Sequence, residues 1–319
     1  MFIDNANDLG IREKGKGKRE KEMQNAKCKV QNACHCEEGV NDLTSTKECL
    51  CHCEESCLQD DAAIQKDPSP ARGEGKVSRL TSHASQRYNR NILVPQVEEE
   101  GQKKLSQAKI LVCGAGGLGS TVLANLASVG IGTIGVVDND VLELSNLNRQ
   151  YIHKFENIGK IKVESAKKWI NEFNPEINVN TYPIRLDENN YSEIVKDYDF
   201  IMDCFDSFKS KFLLNKIAVQ TGKTLIHGGV TEFYGQVTVI KPGKTACLNC
   251  ILENEGVNVV KGVLSPAVTT IASIEAMEAV KLILNVGENL ENKLLSYNGL
   301  TMQFKTINFK KNPNCKLCS

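Results

Sequence analysis

The chain has 319 residues, of which 41% are hydrophobic, and a formal net charge of +0. This length and composition allow one large domain or two smaller ones with a sizeable core. The neutral charge balance argues against nucleic acid as the main partner, because nucleic-acid-binding proteins present basic surfaces. We find no apolar run of about 18 residues and no apolar signal segment, which predicts a cytoplasmic protein with no membrane partner.

Residues 1–84 differ in composition from the rest of the chain. They contain seven cysteines between Cys28 and Cys57, and the phrase Cys-His-Cys-Glu-Glu occurs at 34–38 and again at 51–55. Large apolar residues are sparse there, so we favour a disordered, low-complexity extension over a folded domain. A further zinc or soft-metal site is the alternative, because Cys and His are suitable ligands.

From residue 85 to residue 319, β-like and helical segments alternate, which predicts one folded domain. The predicted strands cover 109–113, 132–138, 178–184, 199–203, 224–228, 236–240, 294–297 and 302–309. The predicted helices cover 118–129, 162–173, 209–220 and 266–284, after a leading helix and loop within 86–104. This order is typical of a doubly wound, Rossmann-like α/β sheet with a mixed C-terminal extension.

A glycine-rich turn follows the first predicted strand and opens the helix after it. Its glycines let backbone N–H groups approach a phosphate closely, and the helix N-terminus adds partial positive charge. Asp138 ends the second predicted strand, where a carboxylate can accept hydrogen bonds from ribose hydroxyls. Together these features predict a nucleotide site whose turn is formed by Gly114, Gly116, Gly117 and Gly119.

Two cationic residues, Arg149 and Lys162, follow the second predicted strand. A triphosphate carries several negative charges, and nucleophilic attack on it concentrates further negative charge in the transition state. Arg and Lys side chains at this point would stabilise that charge. An NAD-dependent oxidoreductase is the alternative. It would explain the glycine turn and Asp138, but it has no evident use for the two cations. The pattern therefore favours an enzyme that reacts at the phosphates of a mononucleotide.

Asp206 lies just beyond the predicted strand 199–203, at the same sheet edge as the glycine turn. A carboxylate in this position could hold Mg²⁺ against phosphate oxygens. It could equally be only the N-cap of the helix that follows. Its position in the sequence leaves both interpretations open.

Two Cys-x-x-Cys pairs lie far apart in the chain. Four thiolates arranged in this way suit a tetrahedral structural zinc ion, and four Cys ligands leave no open position for catalysis. The alternative is a set of reduced, unliganded thiols. The zinc interpretation predicts a site that ties the C-terminus to a distant segment, with the ligands Cys247, Cys250, Cys315 and Cys318.

The motifs between about residue 86 and residue 318 resemble those of the ThiF/MoeB/HesA family, the bacterial relatives of ubiquitin-activating (E1) enzymes. The matching segments are 87–90, 114–119, 138–140, 145–150, 159–166, 203–206, 235–239 and both cysteine pairs. This family uses ATP and Mg²⁺ to adenylate the C-terminal glycine of a small ubiquitin-like sulfur-carrier protein, releasing pyrophosphate. The resemblance therefore implies an ATP-dependent adenylyltransferase for a Gly-Gly-ended carrier, serving thiamine or molybdopterin synthesis.

The resemblance also implies roles for individual residues. Asp138 would bind the ribose, Arg149 and Lys162 the phosphates, and Asp206 the Mg²⁺ ion. Arg90 matches an arginine that reaches into the partner subunit's site, so a homodimer is implied. The other residues of the matching segments that we assign to nucleotide binding are Asp140, Asn146 and Gln150.

The chain departs from the family pattern at three positions outside the Cys-rich extension. The family often has Asn and Arg where this chain has Ser207 and Lys211, and Lys keeps the charge but loses the bidentate fork of Arg. Some members carry a cysteine for sulfur or thioester transfer where this chain has Asn258, so we expect adenylation without a covalent enzyme–carrier link there.

Two further functions remain as alternatives. One is a catalytically inactive E1-like binding protein, for which the departures at Ser207 and Lys211 are the main support. The other is a related enzyme that activates the carboxylate of a tRNA nucleoside, which the paired cysteine motifs disfavour.

Overall fold

The computed structural model describes residues 86–252 and 262–319. The extension expected at residues 1–84, with its repeated Cys-His phrase, lies outside the described residues, and so does Asn258. The expectations about an added metal site and about the absence of a covalent link therefore stay predictions.

The described chain alternates helices and strands, as its sequence pattern predicts. The helices are α1 (Asn89–Ile92), α2 (Glu98–Gln107), α3 (Gly117–Val129), α4 (Lys162–Phe173), α5 (Tyr191–Val195), α6 (Phe208–Thr221), α7 (Leu248–Ile251) and α8 (Ser265–Leu284). The strands are β1 (Lys109–Cys113), β2 (Thr133–Val137), β3 (Asn178–Tyr182), β4 (Phe200–Asp203), β5 (Thr224–Thr231), β6 (Tyr234–Ile240), β7 (Lys293–Asn298) and β8 (Gln303–Asn308). Two short 3-10 helices, Leu144–Asn146 and Phe155–Asn157, lie between β2 and α4.

In the described ranges, eight strands form one sheet in the order β3-β2-β1-β4-β5-β6-β7-β8. Strands β1 to β5 are mutually parallel, whereas β6, β7 and β8 add as antiparallel neighbours. The chain runs from β1 outward to β2 and β3, and then returns to place β4 on the other side of β1. The strand order thus reverses between β1 and β4, and a crevice opens there at the carboxyl ends of the strands.

Side chains on successive residues of β1 face opposite sides of the sheet. Ile110 and Val112 join the core under α3 and α8, whereas Leu111 and Cys113 join the core on the other side, with α6. Because both faces are covered, the central strands β1 and β2 are buried from their second residue onward rather than alternating between buried and exposed positions. The predicted α/β sheet, Rossmann-like with a mixed C-terminal part, is confirmed.

The sequence pattern located long elements better than short ones. The strand at 109–113 and the helix at 162–173 have the predicted bounds, and the other predicted elements differ by a few residues at their ends. The prediction placed one leading helix within 86–104, where the structure has α1 and α2, and it missed α5 and α7, which have five and four residues. A helix of so few residues is too short to show a helical period in its apolar positions. None of the helices in the described ranges is both long enough and apolar enough to cross a membrane.

Candidate active site and cysteine cluster

The glycine turn joins β1 to α3 and packs tightly against the end of β4. Gly114 has a φ of +107°, and a Cβ atom there would lie 2.6 Å from the carbonyl oxygen of Cys204. A Cβ atom on Gly119 would lie 1.9 Å from the carbonyl oxygen of Gly114. Both contacts are with backbone atoms, so these two positions require glycine. The turn is thereby fixed at the point where the strand order reverses.

Helix α3, which follows the turn, begins at a residue that cannot cap it. Its N-cap is Gly116, which has no side chain, so the first backbone N–H groups of the helix are available to an anion. A Cβ atom on Gly116 would meet only the Gln150 side chain, at 3.7 Å from Nε2. Packing within the described residues therefore does not demand glycine at this position. The bare backbone of Gly116 fits the close approach of a phosphate group.

Asp138 connects the end of β2 to the glycine turn. One carboxylate oxygen accepts the Ala115 N–H at 2.7 Å, and the other accepts the Asp140 N–H at 2.8 Å. Burial raises the pKa of Asp138, and the two backbone hydrogen bonds partly offset this rise. Each carboxylate oxygen keeps further acceptor capacity, so the predicted contact with a ribose hydroxyl is compatible with these bonds.

Lys162, the first residue of α4, is buried although it carries a charged group. Its Nζ donates to Asp140 Oδ2 at 2.7 Å, and its backbone N–H donates to the Asp140 carbonyl oxygen. The Asp140 side chain itself is 61% exposed. The structure thus brings Lys162 and Asp140 together and links both to Asp138 through the Asp140 backbone.

Arg149 lies against the start of α3. Its Cγ and Cδ atoms would be 3.5 Å from a Cβ atom placed on Gly117. Its Nη1 donates to the Ser145 carbonyl oxygen at 3.1 Å and to Asn148 Oδ1 at 2.9 Å. Both partners are neutral acceptors, so these bonds leave the positive charge of the guanidinium beside the glycine turn uncompensated.

Two amide side chains predicted for nucleotide binding occupy different surroundings. Asn146 Oδ1 accepts the Glu143 N–H at 3.1 Å and so stabilises the first 3-10 helix. Gln150 is buried next to Gly116, and its Oε1 has no hydrogen-bond partner within the described residues. An unpartnered buried acceptor is costly, so Gln150 is the better placed of the two to contact a ligand.

Asp206 follows β4 and is exposed. The cap of α6 is the next residue: Ser207 Oγ accepts the Ser210 N–H at 3.1 Å. The interpretation of Asp206 as that helix's N-cap is therefore wrong. The backbone N–H of Cys204 donates to the Cys113 carbonyl at 3.0 Å, which holds the segment before Asp206 beside the glycine turn.

Lys211, whose role the sequence left open, belongs to a buried ionic cluster beneath the site. Its Nζ donates to Asp203 Oδ1 at 3.3 Å and to the Gly228 carbonyl oxygen at 2.6 Å. His227 Nδ1 lies 2.6 Å from the other Asp203 oxygen. Burial alone would raise the pKa of Asp203, but Lys211 and His227 outweigh it and lower that pKa. Glu275 packs against Gly228 nearby, neither of its carboxylate oxygens has a hydrogen-bond partner within the described residues, and burial raises its pKa well above the usual range.

Two buried histidines contact the ionic cluster and the glycine turn, and no motif in the sequence indicated either histidine. His227 binds Asp203, as described above. His153 lies beside the glycine turn, with Nε2 at 3.0 Å from the Ala115 carbonyl oxygen. Their partners come from strands and turns far away in the chain, which is why local sequence pattern could not identify them.

Arg90 lies far from the glycine turn of its own chain. The ring of Tyr88 packs against Gly130, the residue that ends α3, and its hydroxyl accepts from Asn174 at 2.7 Å. The glycine turn is at the other end of this 13-residue helix, which is about 20 Å long. The structure therefore does not bring exposed Arg90 together with Arg149 and Lys162 of the same chain.

The two cysteine pairs meet in space. Their Sγ atoms lie within 4.8 Å of one another, with separations of 3.9 Å (Cys247–Cys250), 3.7 Å (Cys247–Cys315) and 3.5 Å (Cys250–Cys318). Asn215 of α6 fixes the first pair, because its Oδ1 accepts the Leu248 N–H at 3.0 Å. No disulfide joins the four thiols.

The fold and these contacts define a nucleotide-binding α/β protein with cations at its glycine turn and a separate four-cysteine cluster. The sequence model of the ThiF family matches residues 88–317. The chain belongs to the ThiF family. The resemblance to ThiF/MoeB-type, E1-like adenylyltransferases is thereby confirmed.

Individual relatives agree with this assignment. The SAMP-activating enzyme E1 of Haloferax volcanii is 38% identical over 73% of this chain and 88% of its own length. The sulfur carrier protein adenylyltransferase of Thermus thermophilus is 36% identical over 75% of this chain and 93% of its own length. A crystal structure of E. coli MccB with ATP superposes with a TM-score of 0.65 and 27% identity, covering 73% of this chain and 74% of that chain.

We expect Lys211→Met to lower the free energy of unfolding by about 3–5 kcal/mol, because it leaves the buried Asp203 carboxylate without its cation. Urea denaturation followed by circular dichroism measures this loss. Lys216→Met, on the same helix, is the matched control, because Lys216 pairs with Glu188 at the surface, where an ion pair contributes about 0–1 kcal/mol. Equal losses in the two variants would contradict the structural role of Lys211.

Proposed function

We propose that this protein uses ATP to adenylate the C-terminal glycine carboxylate of a ubiquitin-like sulfur-carrier protein, releasing pyrophosphate. The observation that carries the proposal is the placement of Lys162 and Arg149 around a glycine turn whose helix N-terminus has no capping side chain. The names of the relatives above support the same reaction and the same class of partner. A dinucleotide oxidoreductase would leave these cations without a function.

Charge neutralisation is the first part of the mechanism. ATP supplies the electrophilic α-phosphorus and pyrophosphate as the leaving group. Lys162 and Arg149 now bind acceptors of their own chain, Asp140 and the Ser145–Asn148 segment. We propose that they exchange these contacts for phosphate oxygens and so stabilise the charge that develops on pyrophosphate.

Metal binding is the second part. Asp206 is exposed after β4, and its backbone neighbours are bonded to the strand that leads into the glycine turn. Carboxylate oxygens are the ligands that Mg²⁺ prefers. We propose that Asp206 would hold a Mg²⁺ ion, which would offset negative charge on the phosphates, and that Asp138 and Gln150 bind the nucleoside part of ATP.

The carrier's carboxylate attacks phosphorus directly, so no nucleophile of this protein is required. Two described cysteines outside the cluster, Cys113 and Cys204, support this scheme. Both are buried, and burial raises the pKa of each thiol well above its usual range. A thiol that stays protonated is a poor nucleophile.

We expect Arg149→Ala, Lys162→Ala and Asp206→Ala each to lower carrier-dependent exchange of pyrophosphate into ATP by about 10²–10³-fold, because each removes charge stabilisation from the transition state. Lys168→Ala is the control, since Lys168 is an exposed residue of the same helix as Lys162. Exchange at the normal rate in the Arg149 or Asp206 variant would refute the residue roles. Binding of NADH without any binding of ATP would instead support the oxidoreductase.

We further propose that the four-cysteine cluster binds a structural zinc ion. Zinc–sulfur bonds of about 2.3 Å in a tetrahedron place the sulfur atoms about 3.8 Å apart. Three of the six Sγ separations, at 3.5–3.9 Å, fit that geometry, and all six are within 4.8 Å. A reducing compartment such as the cytoplasm would keep the thiols in the form that binds metal. The site would join α6 and α7 to the C-terminus.

We expect Cys315→Ser to reduce the zinc content by about one ion per chain relative to the wild type and to lower the melting temperature, because a closed Cys₄ site contributes folding energy. Elemental analysis of the full chain measures the difference and so corrects for any zinc held by other cysteines. Cys113→Ala removes a buried cysteine outside the cluster and should keep its zinc. The same zinc content in the wild type and Cys315→Ser would contradict the site.

A homodimer completes the proposal. Arg90 lies too far from the glycine turn of its own chain to reach it, as the position of Tyr88 at the end of α3 indicates. In addition, the crossover between β2 and α4 exposes a group of large apolar side chains that an interface would cover. They are Val141, Leu144, Tyr151, Phe155, Ile158 and Ile161.

We expect a mixture of Arg90→Ala and Arg149→Ala chains to recover about a quarter of the wild-type exchange rate after subunit exchange, although each variant alone is impaired. Half of the dimers would then be mixed, and each mixed dimer has one site with both arginines intact. No recovery, with mixed dimers demonstrated by mass spectrometry, would show that Arg90 does not act in the partner's site.

A further inference from the structure

His153 is a buried side chain that the mechanism above does not use. It lies between the glycine turn and α4, and its ring contacts both. Nε2 is 3.0 Å from the Ala115 carbonyl oxygen, and Nδ1 is 2.9 Å from Ser165 Oγ. The side-chain amide of Asn157 donates to the same Ser165 oxygen at 3.2 Å. The four groups form one continuous chain of hydrogen bonds.

The Ala115 carbonyl oxygen, at the end of this series of hydrogen bonds, fixes the direction of each of them. A backbone carbonyl can only accept, so Nε2 of His153 must carry the hydrogen. In the neutral ring Nδ1 is then an acceptor, and it takes the hydroxyl hydrogen of Ser165. The Ser165 oxygen in turn accepts from Asn157. Burial lowers the pKa of His153, which agrees with a neutral ring of this single tautomer.

Ala115 is therefore held from both sides. Its N–H donates to Asp138 at 2.7 Å, and its carbonyl oxygen accepts from His153 at 3.0 Å. The Ala115 carbonyl and the Gly116 N–H belong to the same peptide group, so the hydrogen bond from His153 sets the direction of the Gly116 N–H. The next peptide group is held within α3, where the Gly116 carbonyl oxygen accepts the Ser120 N–H at 2.9 Å.

We propose that His153, held in one tautomer by Ser165 and Asn157, is a positioning residue for the phosphate-binding turn. It keeps the backbone of Gly116 and the first turn of α3 in the geometry that binds the phosphates of ATP. This role rests on the proposed function, because the turn must bind ATP for its geometry to matter. His153 itself contacts only the protein.

Two amide variants separate the two ends of the histidine ring. In His153→Gln the amide nitrogen occupies the position of Nε2 and can still donate to Ala115. In His153→Asn it occupies the position of Nδ1, near Ser165, and leaves the Ala115 carbonyl without its donor. Loss of one positioning hydrogen bond corresponds to about tenfold in affinity. We expect the dissociation constant of ATP to rise about tenfold in His153→Asn and less than about threefold in His153→Gln.

The control measurements distinguish positioning from a general loss of structure. The pyrophosphate-exchange assay should show a higher KM for ATP in His153→Asn with an unchanged KM for the carrier, and Ser165→Ala should show a smaller rise in the KM for ATP. A ¹⁵N NMR spectrum of the histidine rings in the wild-type full chain should show His153 with its hydrogen on Nε2 and a bare Nδ1. This spectrum does not depend on the folding of any variant.

Three results would overturn the inference. They are a hydrogen on Nδ1 of His153 in the wild-type spectrum, equal ATP affinities in the wild type and His153→Asn, and equal losses in the two amide variants. If the wild-type protein binds no ATP, the proposed function fails and the inference fails with it. Wild-type ATP binding combined with any of the three results refutes the positioning role alone.

Discussion

The carboxylate of Asp138 holds together the parts from which the site is built. One oxygen binds the Ala115 N–H in the turn after β1, and the other binds the Asp140 N–H in the loop after β2. Asp140 in turn binds Lys162 at the start of α4. Three segments of the chain therefore take their relative positions from one buried group. Two backbone donors and the nearby Lys162 ammonium offset part of the cost of burying that charge.

A second set of buried charges lies beneath the site and holds β4, β5 and α6 together. Lys211, Asp203 and His227 lie under the end of β4, and Lys211 also binds a backbone carbonyl of β5. Such a pair adds little net stability, but breaking it leaves an uncompensated charge in the core. Lys211 therefore connects α6 to β4 and β5 through one buried charge.

The glycine turn and the first cysteine pair follow strands that end at opposite edges of the sheet. The parallel strands direct their carboxyl ends, with the glycine turn and Asp206, toward one edge. Strand β6 runs in the opposite direction, and its last residue, Ile240, pairs with Leu225 near the start of β5. The cysteine pair that follows β6 therefore starts from the other edge. The glycine turn and the cysteine cluster are separated in this way by the reversal of a single strand.

Much of the fold follows from the sequence pattern because it rests on local properties. An apolar run of four residues, 110–113, followed by glycines made β1 and its turn recognisable, and apolar spacing made α4 recognisable. Helices α5 and α7 were missed because one or two turns carry no period. For the site, chemical type singled out Asp138, Arg149 and Lys162. The structure places Asp138 and Arg149 against the glycine turn and Lys162 on Asp140, and their roles in ligand binding stay predictions.

By itself, the sequence determined the kind of fold, the glycine turn, the charged residues near it and the four cysteines with their capacity to bind metal. Only the tertiary structure decided which groups meet. It capped α6 with Ser207 instead of Asp206, buried Lys211 with Asp203, brought together cysteine pairs distant in the chain, and set His153 against Ala115. The physical reason is that hydrogen bonds and ion pairs depend on distances of a few ångströms between segments far apart in the chain, whereas local pattern reports only the neighbours along it.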